Sequence, residues 1–457
     1  MARGTMLDYY DVVRPGPRFW IAFGILCIAW ALDTYDFFII GFLLAALGHG
    51  WHLTYLQSST ILLSGGVGAI AGSLFFGAIA DRAGRKPVLI AAAIICAIGS
   101  GGIALVPDGD WWVFSILRLI VGLGLGGIGT LLVVMAVEIT PAPMRLTLLG
   151  WPILLPPVGT MLAATTTSAL IAALGWRGVA LLGLFPLLLC IPFAVLLPES
   201  PRWLVTVRKG AHARRVVAQL SGTALAGIPE NIGAAGQQPN ASLAELYQHP
   251  GRFWLIVVIW LSASTTTNGV YLWGPSITAM LLHVTPAAAA KDFVYIALAG
   301  LAGRVLFSIL PAVIGRRRCG AIIGFGIAVT LGLAAILHDK FLFGIPLFVI
   351  LLTAGAIFFD GGYCSLTPYS AEIFPTRLAA RGFGLAQAAN GLGKIQGPLC
   401  LSFFAGSGSV VSAHATEAAV LPAFLFLAGC GAVLGMCFVV FAPDSNGKPF
   451  AINSAVL

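Results

Sequence analysis

The chain has 457 residues, of which 59% are hydrophobic and only 9% charged. An ordinary soluble domain is about 25% charged, so this composition excludes a soluble globular fold, a disulfide scaffold, a disordered chain and a coiled coil. The formal net charge is +8; it does not call for nucleic acid, because the placement of the cations along the chain explains it otherwise.

A membrane crossing takes about 20 apolar residues, and the apolar segments predict helices in chain order at 18–47, 56–79, 87–106, 111–138, 147–173 and 179–197. A polar loop at 198–251 follows. Six more helices are expected at 252–282, 291–314, 320–338, 343–370, 382–406 and 419–441. The expected organisation is a six-helix bundle over 1–197, a central loop over 198–251, and a second bundle with a short tail over 252–457. The first 18 residues are polar and carry Pro15 and Pro17, which does not suit a cleavable signal peptide.

Of the 25 Lys and Arg residues, three fall inside apolar segments (Arg118, Arg304, Lys394) and three on one set of loops (Arg177, Lys291, Lys340). All the others lie on the alternate loops and the two tails. This is the positive-inside pattern. It places both termini and the central loop in the cytoplasm of a multi-pass protein, with a bacterial inner membrane as the expected location. The eight cysteines have no CxxC spacing and read as small buried hydrophobes, so no metal and no cofactor is expected. Asn240-Ala-Ser242 matches a glycosylation sequon, but on the side where it stays unused.

The two halves repeat three features in the same order. Gly84-Arg85-Lys86 matches Gly315-Arg316-Arg317; Glu138-Ile-Thr-Pro with Arg145 matches Glu372-Ile-Phe-Pro with Arg377 and Arg381; Pro198-Glu199-Ser200 matches Pro443-Asp444-Ser445. Such order implies internal duplication. Two repeated bundles enclosing a midplane cavity make a transporter. The expected fold is an all-α membrane protein, twelve transmembrane helices in two pseudo-symmetric six-helix bundles.

Between the second and third helices stands Gly77-Ala-Ile-Ala-Asp81-Arg82-Ala-Gly84-Arg85-Lys86. Its glycines allow a tight turn, and Asp81 can pair with an arginine or cap the next helix. This spacing resembles the signature loop of the major facilitator superfamily. The resemblance implies that the loop stabilises one face of the closed transporter; the second copy has Ala312 in place of Asp81.

The first helix carries Asp33-Thr-Tyr-Asp36, two carboxylates on one helical face. A carboxylate deep in a bilayer costs roughly 2.5–3.5 kcal/mol on insertion scales. A water-filled cavity, protonation or a cationic partner lowers that cost, and Arg118 of the fourth helix is the natural partner. Such a pair either titrates, as proton coupling requires, or is a static tie between helices. Tyr35-Asp36 with Arg118 resembles the pair of proton-linked sugar porters. Asp33-Thr-Tyr-Asp36 with Val121-Gly-Leu-Gly-Leu-Gly-Gly127 is closer to the aromatic acid/proton symporters. Pro198-Glu-Ser-Pro-Arg-Trp-Leu204 is shared with sugar porters and their organic-ion relatives.

Lys394, in Asn390-Gly-Leu-Gly-Lys-Ile-Gln396, resembles a basic residue of metabolite symporters that is a candidate for holding an anionic substrate group. The alternative is a structural pair with Asp360. Arg304 is a second candidate anion contact or a structural charge. Ser264-Thr-Thr-Thr-Asn268, Tyr271 and Trp273 lie on what reads as broken-helix sequence and suit a polar ligand; the alternative is hydroxyls bonded to their own helix. Gln387, Asn390, Gln396, Tyr363, Tyr369 and Trp151 are further cavity candidates. Asp81, Arg82, Arg85, Glu138 with Arg145, Glu199, Arg202, and Glu372 with Arg377 or Arg381 resemble the networks that hold the inward side shut. His49 and His52 read as loop histidines.

The sequence therefore points to a monomeric secondary transporter and not to an enzyme: proton-coupled symport of a small organic anion, a carboxylate and in one version an aromatic one. A sugar or polyol porter, a phosphate symporter and a drug/proton antiporter remain the alternatives, with a non-transporting receptor further off. The lipid bilayer, protons and a small substrate are the expected partners, and nucleic acid is not.

Overall fold

The structure is a computed structural model that describes residues 5–47, 50–231, 243–375 and 378–443. Arg377, His49, the sequon and the chain from Asp444 onward lie outside the described residues. Ten stretches are long and apolar enough to cross a bilayer. One of them, Gly150–Val195, has 46 residues, too many for one crossing at 1.5 Å per residue. It turns at Gly175, φ 64°, a left-handed position that favours glycine. Ala379–Ala405, rich in Gly, Asn and Gln, adds the remaining span.

The first four spans are Pro17–Leu47, Tyr55–Ala83, Arg85–Ile103 and Trp111–Ile139. The fifth and sixth are the two arms of Gly150–Val195. The seventh to ninth are Pro250–Leu281, Pro286–Ile314 and Arg316–Ile336. The tenth has two pieces, Leu347–Phe359 and Tyr363–Glu372. The eleventh is Ala379–Ala405 and the twelfth Ala413–Val440. Local chemistry sets many starts: Thr54 and Gln57 form a capping box, and Asp110, Thr285 and Ser412 each accept a backbone N–H at a helix start.

Three expectations change. The polar stretch after the sixth span contains, among its described residues, two α-helices, Pro201–Thr206 and the amphipathic Gly210–Ser221, and two short 3-10 helices. The seventh span is one unbroken helix despite Pro275, and the broken span is the tenth, at Asp360-Gly361-Gly362. The eighth span begins at Pro286 and the twelfth at Ala413, each earlier than expected, because Thr285 and Ser412 cap them there.

Spans one to six pack as one bundle and spans seven to twelve as another. Close approach explains some of the glycines: a Cβ on Gly122 of the fourth span would sit 2.1 Å from the Gly65 carbonyl oxygen of the second. The bundles meet where the first span packs on the seventh, the second on the eleventh and the fifth on the eighth. We call the end where the first span starts and the twelfth ends the terminal face, and the opposite end the distal face.

The distal face is sealed by a clasp between the bundles. Leu53 and Val411 share a backbone hydrogen bond, as do Tyr55 with Ser409 and Leu56 with Ser407. The Tyr55 hydroxyl lies 2.7 Å from that of Thr416, and Ser59 donates to the Pro398 carbonyl at 3.0 Å. At the terminal face the short helix Met6–Val12 straps the first bundle. Asp11 accepts from Arg202 at 2.7 Å and from the Ala142 N–H, and buried Tyr10 donates to the Ile139 carbonyl. Burial pushes the Tyr10 phenol above its ordinary value.

Candidate functional site

Three groups of charge lie inside the spans. The first surrounds Asp36, which is buried in the first bundle. Ser100 donates to both of its carboxylate oxygens, at 3.1 and 3.0 Å, and the Cys96 thiol donates at 2.9 Å. Arg118 is adjacent, yet its guanidinium turns to the backbone: it donates to the Asp36 and Phe37 carbonyls at 3.3 Å each. Among the described residues the two side chains form no ion pair, so the expected Asp36–Arg118 bridge becomes a carbonyl clamp beside a hydroxyl- and thiol-bonded acid. The Arg118 Nε is buried without a partner. Gly183 makes room, since a Cβ there would meet Asp36 at 3.0 Å.

The second group lies where the bundles meet. Lys394 places its ammonium 4.4 Å from the centre of the Phe37 ring, a cation–π contact across the interface. Gly66 of the second span admits the Lys394 backbone, with a Cβ there coming 3.1 Å from the Lys394 Cβ. Asp33 is the carboxylate on which the Lys394 charge acts. One Asp33 oxygen, Oδ1, is buried without a partner; Gly129 of the fourth span lies opposite the other. Among the described residues Lys394 is in no ion pair.

The third group belongs to the second bundle. Asp360, at the break in the tenth span, accepts from Arg304 Nε at 2.8 Å and from the Tyr271 hydroxyl at 2.8 Å. This corrects the alternative of a Lys394–Asp360 pair: Arg304 occupies Asp360, and the carboxylate whose charge acts on Lys394 is that of Asp33. Arg304 also reaches across to the other bundle and donates to the Ile153 carbonyl of the fifth span. That carbonyl is available for a local reason. In a regular helix the N–H of residue 157 would bond it, and Pro157 has no N–H. Among the described residues the other hydrogen bonds between the bundles lie in the distal half.

The hydroxyl run of the seventh span is mostly committed. Thr266 and Thr267 bond carbonyls of their own helix, Ser264 donates to the Asn390 carbonyl, and Thr265 to Gln396 Oε1 at 3.1 Å. Asn268 donates to the Ser264 carbonyl, while its Oδ1 is buried without a partner. Trp273 donates to the Pro398 carbonyl and thus serves the distal seal rather than an open cavity. Gln387 is exposed, and Asn390 donates to it. Trp151 is exposed, whereas Tyr369 is buried.

The terminal-face charges pair differently from expectation. Glu138 takes Arg85, through Nε and Nη2 at 3.1 Å each, and Arg145 instead donates to the Thr140 carbonyl. Asp81 pairs with Arg85 at 3.2 Å. Glu199 accepts from the N–H groups of Arg85, Lys86 and Ser200, so it anchors the start of the third span; Arg202 goes to Asp11. Glu372 pairs with Arg316 in place of Arg381, which is exposed, as is Arg82. Each of these ties stays within one bundle. The partners overlooked in sequence were Asp11, Cys96, Ser100 and Ile153. Only Ile153 carried a signal, the Pro156-Pro157 pair behind it.

Comparison with known proteins agrees with this architecture. The model of the "Sugar (and other) transporter" family matches residues 21–455. A niacin transporter of Acinetobacter baylyi is 27% identical over 390 residues, 82% of this chain and 84% of that protein. A gallate transporter of Pseudomonas putida is 25% identical over 381 residues, covering 82% and 83%. The inward-open structure of the xylose transporter of E. coli superposes with a TM-score of 0.74 at 19% identity, over 95% of this chain and 98% of that one, a likeness of fold. The chain is thus a multi-pass membrane transporter and a member of the sugar (and other) transporter family within the major facilitator superfamily.

Proposed function

We propose that the chain is a proton-coupled symporter of a small organic anion, a carboxylate on an aromatic ring. It works as a monomer by alternating access in a bacterial inner membrane, with the terminal face in the cytoplasm. The observation that carries this reading is the meeting of Lys394, Phe37 and Asp33 at the contact between bundles. An ammonium at bilayer depth is costly and usually functional, and among the described residues Lys394 has no directly bonded counter-ion. A carboxylate ligand supplies one. The Phe37 ring under Lys394 meets Phe38 with centres 5.0 Å apart, and Phe38 meets Tyr271 at 5.1 Å, a run of rings that suits an aromatic body. Niacin and gallate, the cargo named for two relatives, both combine a carboxylate with an aromatic ring. The one-sided distribution of Lys and Arg supports the orientation.

Proton coupling is assigned to Asp36, with Asp33 as the cavity-side carboxylate that passes the proton. Asp36 takes a proton with no ion pair to break, since its partners are a hydroxyl and a thiol. Arg118 then loosens its hold on the Asp36 and Phe37 carbonyls, and the first span is free to shift. The anion settles on Lys394, and the bundles rock about the midplane. The distal clasp and the Arg304–Ile153 bond are the two gates, assisted by the terminal-face pairs of each bundle. Substrate drives the cycle only through its differential affinity for the two states.

The test is thermal stabilisation of the purified protein at about pH 5.5 and 7.5 with nicotinate, gallate, aliphatic carboxylates, phosphate, a hexose and an organic cation; a binder stabilises by mass action. Stabilisation by an aromatic carboxylate, stronger at the lower pH and lost in Lys394→Ala, is the expected result. Stabilisation by the hexose or the cation alone sinks the anion reading and returns Lys394 to a structural role.

A further inference from the structure

A separate pocket of about 560 Å³ opens on the terminal face, on the outer side of the first bundle and away from the midplane charges. It is enclosed by the start of the first span, the end of the second, the first turn of the third, the end of the sixth, and the helix pair that follows. Its polar wall holds Arg18, Lys86, Lys209 and His212. Lys209 sits 5.7 Å from the Trp203 ring, and Lys86 donates to the Ala194 carbonyl at 2.6 Å. The single carboxylate in the wall, Glu199, is bonded by three backbone N–H groups, and against Arg18, Lys86 and Lys209 it leaves an excess of positive charge. Among the described residues neither Arg18 nor Lys209 is in an ion pair. The pocket is therefore a cationic recess with its charge largely uncompensated.

Its outer rim is apolar. Ile21, Val195 and Leu196 line the pocket and are 49%, 74% and 50% exposed. They sit in the first turns of the first span and at the end of the sixth, at the depth where a crossing helix leaves the hydrocarbon. Trp20 is exposed beside them, as expected of an aromatic at that depth. Cations inside and aliphatic side chains outside match a phosphate joined to acyl chains. We propose that this recess binds the phosphate headgroup of an anionic phospholipid, whose chains run along Ile21, Val195 and Leu196. Bound there, the lipid joins the helix pair Pro201–Thr206 and Gly210–Ser221 to the membrane part of the first bundle.

The test uses the full chain in a neutral detergent. Thermal stability is read while titrating short-chain phosphatidylglycerol, phosphatidylcholine or inorganic phosphate. Phosphatidylglycerol is expected to stabilise; phosphatidylcholine and inorganic phosphate at equal concentration are not. In Arg18→Gln/Lys209→Gln the half-saturating phosphatidylglycerol concentration is expected to rise roughly 30-fold, from the loss of two surface cations. Arg18→Lys/Lys209→Arg is expected to restore it. Both variants keep the ligand response of the midplane site, so failure here is distinguishable from failure of the transport reading. An unchanged titration in the Gln variant, or equal stabilisation by phosphatidylcholine, overturns the proposal. Stabilisation by inorganic phosphate as strong as by the lipid assigns the recess to free phosphate and overturns it equally.

Discussion

Each bundle buries one acid near one arginine, and the two bundles treat the pair in opposite ways. In the first, Asp36 rests on Ser100 and Cys96 while Arg118 grips backbone carbonyls. In the second, Asp360 and Arg304 bond directly, with Tyr271 as a third member. Neutralising Asp36 breaks no ion pair. Neutralising Asp360 strands a buried guanidinium, which is costly when one partner of a buried pair is lost. Duplicated halves thus place similar residue types in unlike settings: a carboxyl held without an ion pair, and a locked pair that carries a bond to the opposite bundle.

The largest expected effect separates these roles. Asp36→Asn is expected to abolish proton-driven accumulation while leaving substrate exchange intact, measured with radiolabelled substrate in energised and de-energised vesicles. Normal accumulation in this variant would remove Asp36 from coupling. Next, Arg304→Ala leaves Asp360 buried without its cation and is expected to destabilise the protein by about 3–5 kcal/mol. Asp36→Asn should cost far less in the same thermal unfolding series. Arg304→Ala/Asp360→Asn is expected to recover part of the loss; if it recovers none, the pair is not the locked element described above.

The smallest effect bears on the bond between the bundles. Pro157→Ala restores an N–H that can take the Ile153 carbonyl back into its own helix. One hydrogen bond is worth about 1 kcal/mol net, so terminal-side opening is expected to increase several-fold. Amide hydrogen exchange of the eighth span around Arg304, read by mass spectrometry, reports it. An unchanged rate, with Arg304–Asp360 intact, would mean that the Ile153 bond does not gate.

Much of this molecule is legible in its sequence because the relevant physics is local. A run of apolar residues determines a span, Gly84 and Gly315 (φ 106° and 88°) mark the same turn in each half, and Thr54, Asp110 and Ser412 start helices on their own. The sorting of Lys and Arg along the loops, the duplication and the short list of charges inside the spans follow in the same way. The break in the tenth span is harder to read: Gly361-Gly362 signals it, but composition points to the hydroxyl-rich seventh span.

Sequence alone determined that this is a twelve-span transporter with isolated charges at mid-membrane. Tertiary structure alone decided which charges meet. Arg304 rather than Lys394 holds Asp360, Arg85 rather than Arg145 holds Glu138, and Arg316 rather than Arg381 holds Glu372. The reason is physical. Helix periodicity and hydropathy are properties of neighbouring residues along the chain. The partner of a long cationic side chain depends instead on the height and rotation of several helices at once, and on which backbone carbonyls, such as that of Ile153, their own helices leave free.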